Sequence, residues 1–135
     1  MEYGFDTTFE PYVAIPISEF VLSESFERQR IWIAKEGDKV VGSIAIVEGS
    51  EELAQLRWLL VHPDYRGFGI GTVFVEEALR FASNAGYEGV FLWTVNTLKA
   101  AKHIYESFHF KKKTEERTHK IWGKMLTEER YEVQL

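Results

Sequence analysis

The feature that most constrains the fold is a glycine-rich segment that lies between a run of strand-forming residues and an amphipathic helix. Leu53–Val61 predicts a long strand, and the segment Arg66–Thr72 follows it, after a proline that cannot continue a strand ladder. Thr72–Ala85 carries apolar residues at helical spacing, whereas Val90–Val95 is too short for a helix and rich in strand formers. A strand, a helix and a second strand in this order predict a parallel pair joined by a right-handed crossover.

An early hairpin excludes a fold in which strands and helices alternate throughout. β-branched residues dominate both Ile31–Ala34 and Val40–Val47, and the polar segment between them, Lys35–Lys39, contains a glycine. A hairpin pairs antiparallel strands, so the sheet must be mixed. The sequence therefore predicts an α/β fold of the mixed α+β kind, with a mostly antiparallel sheet and a central parallel pair.

The remaining elements fit a single domain over residues 1–135, because no repeat, low-complexity tract or Pro/Ser-rich linker interrupts the chain. Near the start of the chain, Pro11 and Pro16 interrupt an otherwise helical pattern. The predicted elements are one or two short helices within Phe9–Phe26, a helix capped by Asn96 or Thr97, a strand from Phe110 onward and a last strand at Arg130–Leu135.

Composition excludes several kinds of partner. The chain carries 16 basic and 21 acidic side chains, a net charge of −5, which disfavours nucleic acid and anionic membranes as partners. There are no cysteines, which removes disulfides, thiolate metal sites and a cysteine nucleophile, and the 4 histidines show no metal-ligand spacing. No apolar run approaches the roughly 20 residues of a membrane span, and the first residues do not resemble a secretion signal. We therefore expect a cytoplasmic domain that binds no metal, nucleic acid or membrane.

The glycine-rich segment also predicts an anion site. Gly67, Gly69 and Gly71 occupy alternate positions, so backbone N–H groups can converge without obstruction by a Cβ, and the following helix adds the positive end of its dipole. No lysine follows Gly71 as in a P-loop, and Thr72 stands where the dinucleotide fingerprint needs a small residue. The pattern that fits is Arg66-x-x-Gly69-x-Gly71. A glycine-rich turn without a ligand is the alternative.

This pattern and a second one resemble the signatures of the GCN5-related N-acetyltransferases. Leu59–Gly71 is similar to the family's coenzyme A signature, Q/R-x-x-G-x-G/A after a strand. The second signature is an Asn at a strand end, then Ala, then Tyr-Glu-x-x-Gly-Phe, and it resembles Asn96, Ala100 or Ala101, and Tyr105–Phe110. Together with the hairpin, the resemblance covers about residues 31–135.

The resemblance implies that acetyl-CoA is the co-substrate and lies between two parallel strands that splay apart. Backbone groups of two strand residues and of the glycine-rich loop would bind it, with charge from an arginine and a further contact from an asparagine. The implied contacts are Leu60, Val61, Arg66, Gly67, Phe68, Gly69, Ile70, Gly71, Thr72 and Asn96. For Asn96, a helix cap is at least as good an interpretation.

The resemblance also implies direct acetyl transfer to a primary amine of a small molecule or a protein. Tyr105 would face the coenzyme sulfur, where hydrogen bonding is favoured over protonation because a phenol has a higher pKa than a thiol. An alkylammonium is mostly protonated at neutral pH, so a base must take its proton, and Glu52 and Glu10 are the candidates. The alternatives are that Tyr105 is a core residue without a catalytic role and that Glu52 and Glu10 are solvated surface acids.

The chain departs from the family's pattern at two places. His109 stands where relatives usually carry glycine, which costs energy if the position needs a positive φ. The family's first strand has no evident counterpart, so Ile31–Ala34 would present an unpaired edge that a homodimer partner or a longer natural chain would cover.

A narrower likeness is to the acetyltransferase half of MarR–acetyltransferase fusion regulators. It is carried by Tyr3–Glu10, Leu92–Val95 and His119–Lys124. The missing beginning and this likeness leave open a second interpretation, a coenzyme-A-binding sensor that lacks turnover.

Overall fold

The computed structural model describes residues 12–13, 27–95, 99–121 and 124–135. In this part of the chain, two α-helices pack on a mixed sheet of seven strands. The elements are β1 (Tyr12–Val13), β2 (Arg30–Glu36), β3 (Lys39–Glu48), β4 (Leu53–Val61), a short 3-10 helix (Pro63–Tyr65), α1 (Ile70–Asn84), β5 (Gly89–Val95), α2 (Lys99–Ser107), β6 (Lys111–Ile121) and β7 (Lys124–Gln134). The strand at Leu53–Val61 has the predicted bounds, whereas the last strand begins earlier than predicted, at Lys124.

The sheet confirms the predicted parallel pair. Its strand order is β1-β2-β3-β4-β5-β7-β6. Among the described strands, β4 and β5 run parallel and all other neighbours are antiparallel. The crossover between the parallel strands contains α1, as the strand–helix–strand pattern predicts. The predicted mixed fold with a central parallel pair is therefore confirmed.

The parallel strands pair over a short stretch and then separate. Leu53–Gln55 pair with Gly89–Phe91, although both strands continue beyond these residues. Trp58 has a φ of 56°, and the register between β3 and β4 shifts at this level, so β4 carries a bulge. The Trp58 carbonyl accepts a hydrogen bond from the Ser43 hydroxyl at 2.8 Å. The carboxyl-terminal parts of β4 and β5 therefore border a gap in the sheet.

Burial on one face of the sheet determines where the helices lie. The buried stripe of α1 shares the main core cluster with side chains of β3, β4 and β5. It consists of Ile70, Phe74, Val75, Ala78 and Ala82, and the strand residues include Ile44, Ile46, Leu56 and Leu92. A smaller cluster of Ile31, Ala45 and Val47 lies on the opposite face, because side chains alternate along a strand. None of the helices in the described part of the chain has the length and apolar character that spanning a membrane requires.

The expectation of an unpaired edge at Ile31–Ala34 is wrong. Tyr12 pairs with Ile33 and Val13 pairs with Trp32, so a short strand from the beginning of the chain occupies this edge. The sequence did not indicate β1, because two residues between prolines carry no strand pattern of their own. The bare edge no longer argues for a second copy, and the homodimer stays a prediction. The helices predicted within Phe9–Phe26 fall outside the described residues, apart from 12–13, which form a strand.

Gly89→Ala should lower the free energy of unfolding by about 1–3 kcal/mol. Gly89 is buried in β5 with neighbours on both sides, and a Cβ there would lie 2.8 Å from the Val133 carbonyl oxygen and 3.0 Å from Leu53 Cδ2. A carbonyl held in a strand ladder cannot move aside without loss of its own pairing. Denaturant unfolding followed by circular dichroism measures the change. Ser83→Ala, at an exposed position of α1, is the control and should stay within about 0.5 kcal/mol.

Candidate functional site

The glycine-rich segment forms a loop that leads the chain from β4 into α1. Gly67 and Gly69 have φ values of 87° and 82°, in the left-handed region that glycine adopts without strain. Gly69 directly precedes α1, and the Val73 N–H donates to the Gly69 carbonyl at 3.1 Å. The N–H groups of residues 70–72 precede this hydrogen bond in the chain and have no carbonyl of the helix to donate to. They therefore point outward from the helix N-terminus, where the dipole favours an anion. The loop therefore has the backbone geometry of an anion site.

The third glycine of the loop has a further role that the sequence analysis missed. Gly71 is buried, and a Cβ at this position would lie 2.9 Å from Ile104 Cδ1. Ile104 belongs to α2, so Gly71 allows the two helices to approach each other closely. No local pattern indicates this contact, because it joins residues of two separate helices.

Hydrogen bonds fix the chain between β4 and the loop. The His62 N–H donates to the Val41 carbonyl at 2.7 Å, and His62 Nδ1 accepts from the Asp64 N–H at 3.1 Å. Arg66 is exposed, and its Nε donates to the Val61 carbonyl at 3.3 Å. A guanidinium carries five N–H donors, and this bond uses one of them. The charge of Arg66 is thus held at the end of β4, next to the loop.

Leu60 and Val61 lie where β4 borders the gap. One edge of β4 is paired at this level, because Val61 pairs with Gly42 and Leu60 with Ser43. The other edge faces the gap, since the pairing with β5 ends before this level. Leu60 is 65% exposed and so offers apolar surface beside the loop. The two predicted strand contacts and the loop therefore lie at the same end of β4.

Tyr105 lies on α2 in the main core cluster, which Leu59 and Val61 pack against. It is 5% exposed, and its ring centroid lies 5.7 Å from that of Phe110. Burial raises the pKa of the Tyr105 hydroxyl to about 12, because the phenolate would lose its hydration. The hydroxyl therefore keeps its proton over the physiological range and can act as a hydrogen-bond donor.

The residue that departs from the family's glycine adopts the left-handed conformation. His109 has a φ of 70°, which a histidine tolerates at a cost. Its N–H donates to the Glu106 carbonyl at 3.0 Å, and the Phe110 N–H donates to the Tyr105 carbonyl at 3.1 Å. These bonds end α2 after Ser107, so the helix keeps the usual termination without glycine.

The structure places Glu52 away from the glycine-rich loop, and its role as the base stays a prediction. Glu52 directly precedes β4, at the end where β4 and β5 are paired, and its carbonyl accepts from the Glu88 N–H at 2.8 Å. Arg66 follows the opposite end of β4. A strand rise of about 3.3 Å per residue separates the two ends by roughly 25–30 Å. Glu48, near the same end as Glu52, forms an ion pair with Arg28 at 3.0 Å.

Two predicted site residues, Asn96 and Glu10, lie outside the described residues. Within residues 12–13, 27–95, 99–121 and 124–135, no group of three His, Asp or Glu side chains could hold a metal ion. The site that the structure describes consists of the loop, the gap between β4 and β5, and Tyr105.

Comparison with known proteins finds relatives in sequence and in fold. The model of the acetyltransferase (GNAT) family matches residues 3–110. Human N-acetyltransferase 8B is 33% identical over 100 residues, which is 70% of this chain and 44% of that protein, so the chain spans less than half of that relative.

Two solved structures share the fold at low identity. The acetyltransferase of the GNAT family from Streptococcus pneumoniae has a TM-score of 0.74 and 20% identity, over 87% of this chain and 74% of that one. A GNAT family acetyltransferase from Elizabethkingia anophelis, solved with acetyl-CoA bound, has a TM-score of 0.70 and 17% identity, over 95% and 97% of the two chains. These structures confirm the architecture of the sheet and helices.

Ionisation of Tyr105 should lower stability at high pH. The pKa is about 12 in the folded protein and near 10 when unfolded, so below pH 10 the hydroxyl is protonated in both states and its contribution is complete. Between about pH 10 and 12 the unfolded state ionises first, and the free energy of unfolding falls by up to about 3 kcal/mol. Denaturant titrations across this range should show a steeper decline for the wild type than for Tyr105→Phe. Equal declines would contradict the raised pKa.

Proposed function

The chain belongs to the acetyltransferase (GNAT) family, and from this premise we propose that it transfers the acetyl group of acetyl-CoA directly to a primary amine. The observation that carries the proposal is the gap between β4 and β5, which opens next to the glycine-rich loop. A thioester carrier with a diphosphate needs a slot for its extended arm and an anion site at one end of that slot. The gap and the loop at the carboxyl end of β4 are the proposed slot and anion site.

The loop is the proposed diphosphate site. A Cβ at Gly67 would meet nothing within 4 Å, so the loop surface is open to a ligand. The N–H groups of Gly67–Thr72 are the proposed donors, and the guanidinium of Arg66 adds charge in a geometry that suits phosphate oxygens. The proteins of this fold include one solved with acetyl-CoA bound, which supports the same ligand here.

The edge of β4 at Leu60 and Val61 is the proposed site for the pantetheine arm. Backbone groups that have lost a neighbouring strand need other hydrogen-bond partners, and the amides of the arm supply them. Asn96, which follows β5, is proposed either to contact the arm or to cap α2. When bound, acetyl-CoA supplies a thioester carbonyl that an amine can attack.

Tyr105 is proposed to stabilise the leaving sulfur by hydrogen bonding. Its pKa of about 12 is well above the value near 8.5 of a thiol, so full proton transfer to a thiolate would cost about 5 kcal/mol. A neutral hydroxyl that donates a hydrogen bond to developing negative charge avoids this cost. The buried position of Tyr105 therefore favours a donor rather than a general acid.

The acceptor is proposed to be a primary amine of a small molecule or a protein. An ammonium must lose a proton before it attacks a carbonyl. Glu52, which precedes the paired end of β4, and Glu10 are the proposed candidates for the base. The resemblance to the fusion regulators and the homodimer also remain predictions.

Gly67→Ala should weaken binding of acetyl-CoA by about tenfold, because an alanine at a φ of 87° is strained and the loop must rearrange. Gly86→Ala is the matched control. Gly86 has a φ of 90°, also has nothing within 4 Å of a built Cβ, and lies beyond the other end of α1. Saturating acetyl-CoA should raise the Tm of the wild type and of Gly86→Ala by several degrees, and that of Gly67→Ala by less. No shift in the wild type would overturn the proposed function.

Tyr105→Phe should lower kcat by about 10- to 100-fold on any amine that the wild type acetylates, since the donor to the sulfur is lost. The affinity for coenzyme A should not change. Tyr131→Phe is the control, because the Tyr131 hydroxyl is buried and has no hydrogen-bond partner among the described residues. The kcat of both variants is measured on a panel of amines by following the release of the coenzyme A thiol. Coenzyme binding without turnover of any amine by the wild type would favour the sensor.

A further inference from the structure

A side-chain hydrogen bond joins the start of the glycine-rich loop to the turn between β2 and β3. The Tyr65 hydroxyl donates to Glu36 Oε1 at 2.5 Å, between residues 29 positions apart. Tyr65 ends the 3-10 helix and directly precedes Arg66, and Glu36 is the last residue of β2. Both residues are half-buried, and Lys39 Nζ lies 5.4 Å from the centroid of the Tyr65 ring. The bond connects two segments at the end of the sheet where the loop lies.

The loop is held by contacts on both sides of Gly67. Nothing lies within 4 Å of a Cβ built at Gly67, whereas the next residue, Phe68, packs against the main core cluster. Its far end is held by Ile70, which is 2% exposed in the core. At the near end, the Tyr65 N–H donates to the His62 carbonyl at 2.8 Å. The rings of Tyr65 and His62 pack edge to face, with their centroids 5.9 Å apart. The hydroxyl bond links this near end to another part of the sheet.

The chemistry of the pair suits a stable connection. A hydroxyl that donates to a carboxylate forms a stronger bond than a neutral pair does. The bond to Glu36 is also the main cause that raises the pKa of Tyr65, so the hydroxyl keeps the proton that it donates. The same bond fixes the position of the Glu36 carboxylate.

We propose that Tyr65 is a positioning residue for the coenzyme. Its bond to Glu36 clamps the near end of the loop, so that the backbone N–H groups and Arg66 are already arranged around the position of the diphosphate. This inference rests on the proposed function, because it concerns the affinity of that loop for coenzyme A. Without the clamp the loop populates other conformations as well. The affinity for coenzyme A then falls in proportion to the fraction of molecules whose loop has the binding conformation.

The experiment compares the affinity for coenzyme A among variants by isothermal titration calorimetry, which needs no acceptor. Tyr65→Phe and Glu36→Ala should each bind about five- to tenfold more weakly than the wild type, and the double variant no more weakly than either. Glu36→Gln keeps an acceptor oxygen and should recover most of the affinity. Hydrogen exchange of the amides of residues 67–72 should be faster in Tyr65→Phe. In turnover, KM for acetyl-CoA should rise while kcat stays the same.

Tyr87→Phe is the matched control at the other end of the sheet. The Tyr87 hydroxyl donates to the Arg28 carbonyl at 2.8 Å, so its removal also deletes a partly buried hydrogen bond but should leave the affinity unchanged. An equal loss in Tyr87→Phe, or wild-type affinity in both Tyr65→Phe and Glu36→Ala, would overturn the clamp and leave the proposed function intact. A wild type that does not bind coenzyme A would instead overturn the proposed function itself.

Discussion

The separation of β4 from β5 is the constraint on which the rest of this structure depends. A parallel pair normally uses the backbone groups of both strands along their whole shared length, yet here pairing ends at Gln55 and Phe91. Two features hold the strands apart without loss of the sheet. The bulge at Trp58 redirects β4, with the Ser43 hydroxyl on its carbonyl, and β5 stays paired with β7 from Gly89 to Val95. The gap is thus supported on one side by the continuous ladder of β5 with β7 and on the other by the bulged ladder of β3 with β4.

The proposed anion site and the gap lie next to each other because the carboxyl end of β4 borders both. β4 borders the gap and then leads through the 3-10 helix into the loop and α1, so the direction of the strand sets the direction of the site. The contact of Gly71 with Ile104 fixes α1 against α2, and α2 carries Tyr105. A ligand that spans from the loop into the gap would therefore touch elements whose relative positions the core already determines. Preorganisation of this kind lowers the entropic cost of binding.

Burial decides what the tyrosine can do. In water, a phenol is a weaker acid than a thiol by a small margin, and either a donor role or an acid role is chemically reasonable. In the core the phenolate of Tyr105 is disfavoured further, so the difference between its pKa and that of a thiol grows. Proton transfer to the sulfur then costs more than donation of a hydrogen bond. The same burial keeps the ring in place against Phe110, so the hydroxyl has little freedom to search for its partner. The position of the Tyr105 hydroxyl and its protonation state thus have the same physical cause, which is burial.

The sequence by itself determined the elements whose signals are local. Leu53–Val61, the glycine-rich loop and the helix that carries Tyr105 all follow from periodicity and glycine spacing within a few residues. The tertiary structure decided what depends on pairing between distant segments. It showed that Tyr12–Val13 covers the first edge, that Glu52 lies at the paired end of β4, and that Glu36 meets Tyr65. The physical reason is that a strand pattern records which residues face the core, but neither the neighbour of the strand nor the end at which a site opens.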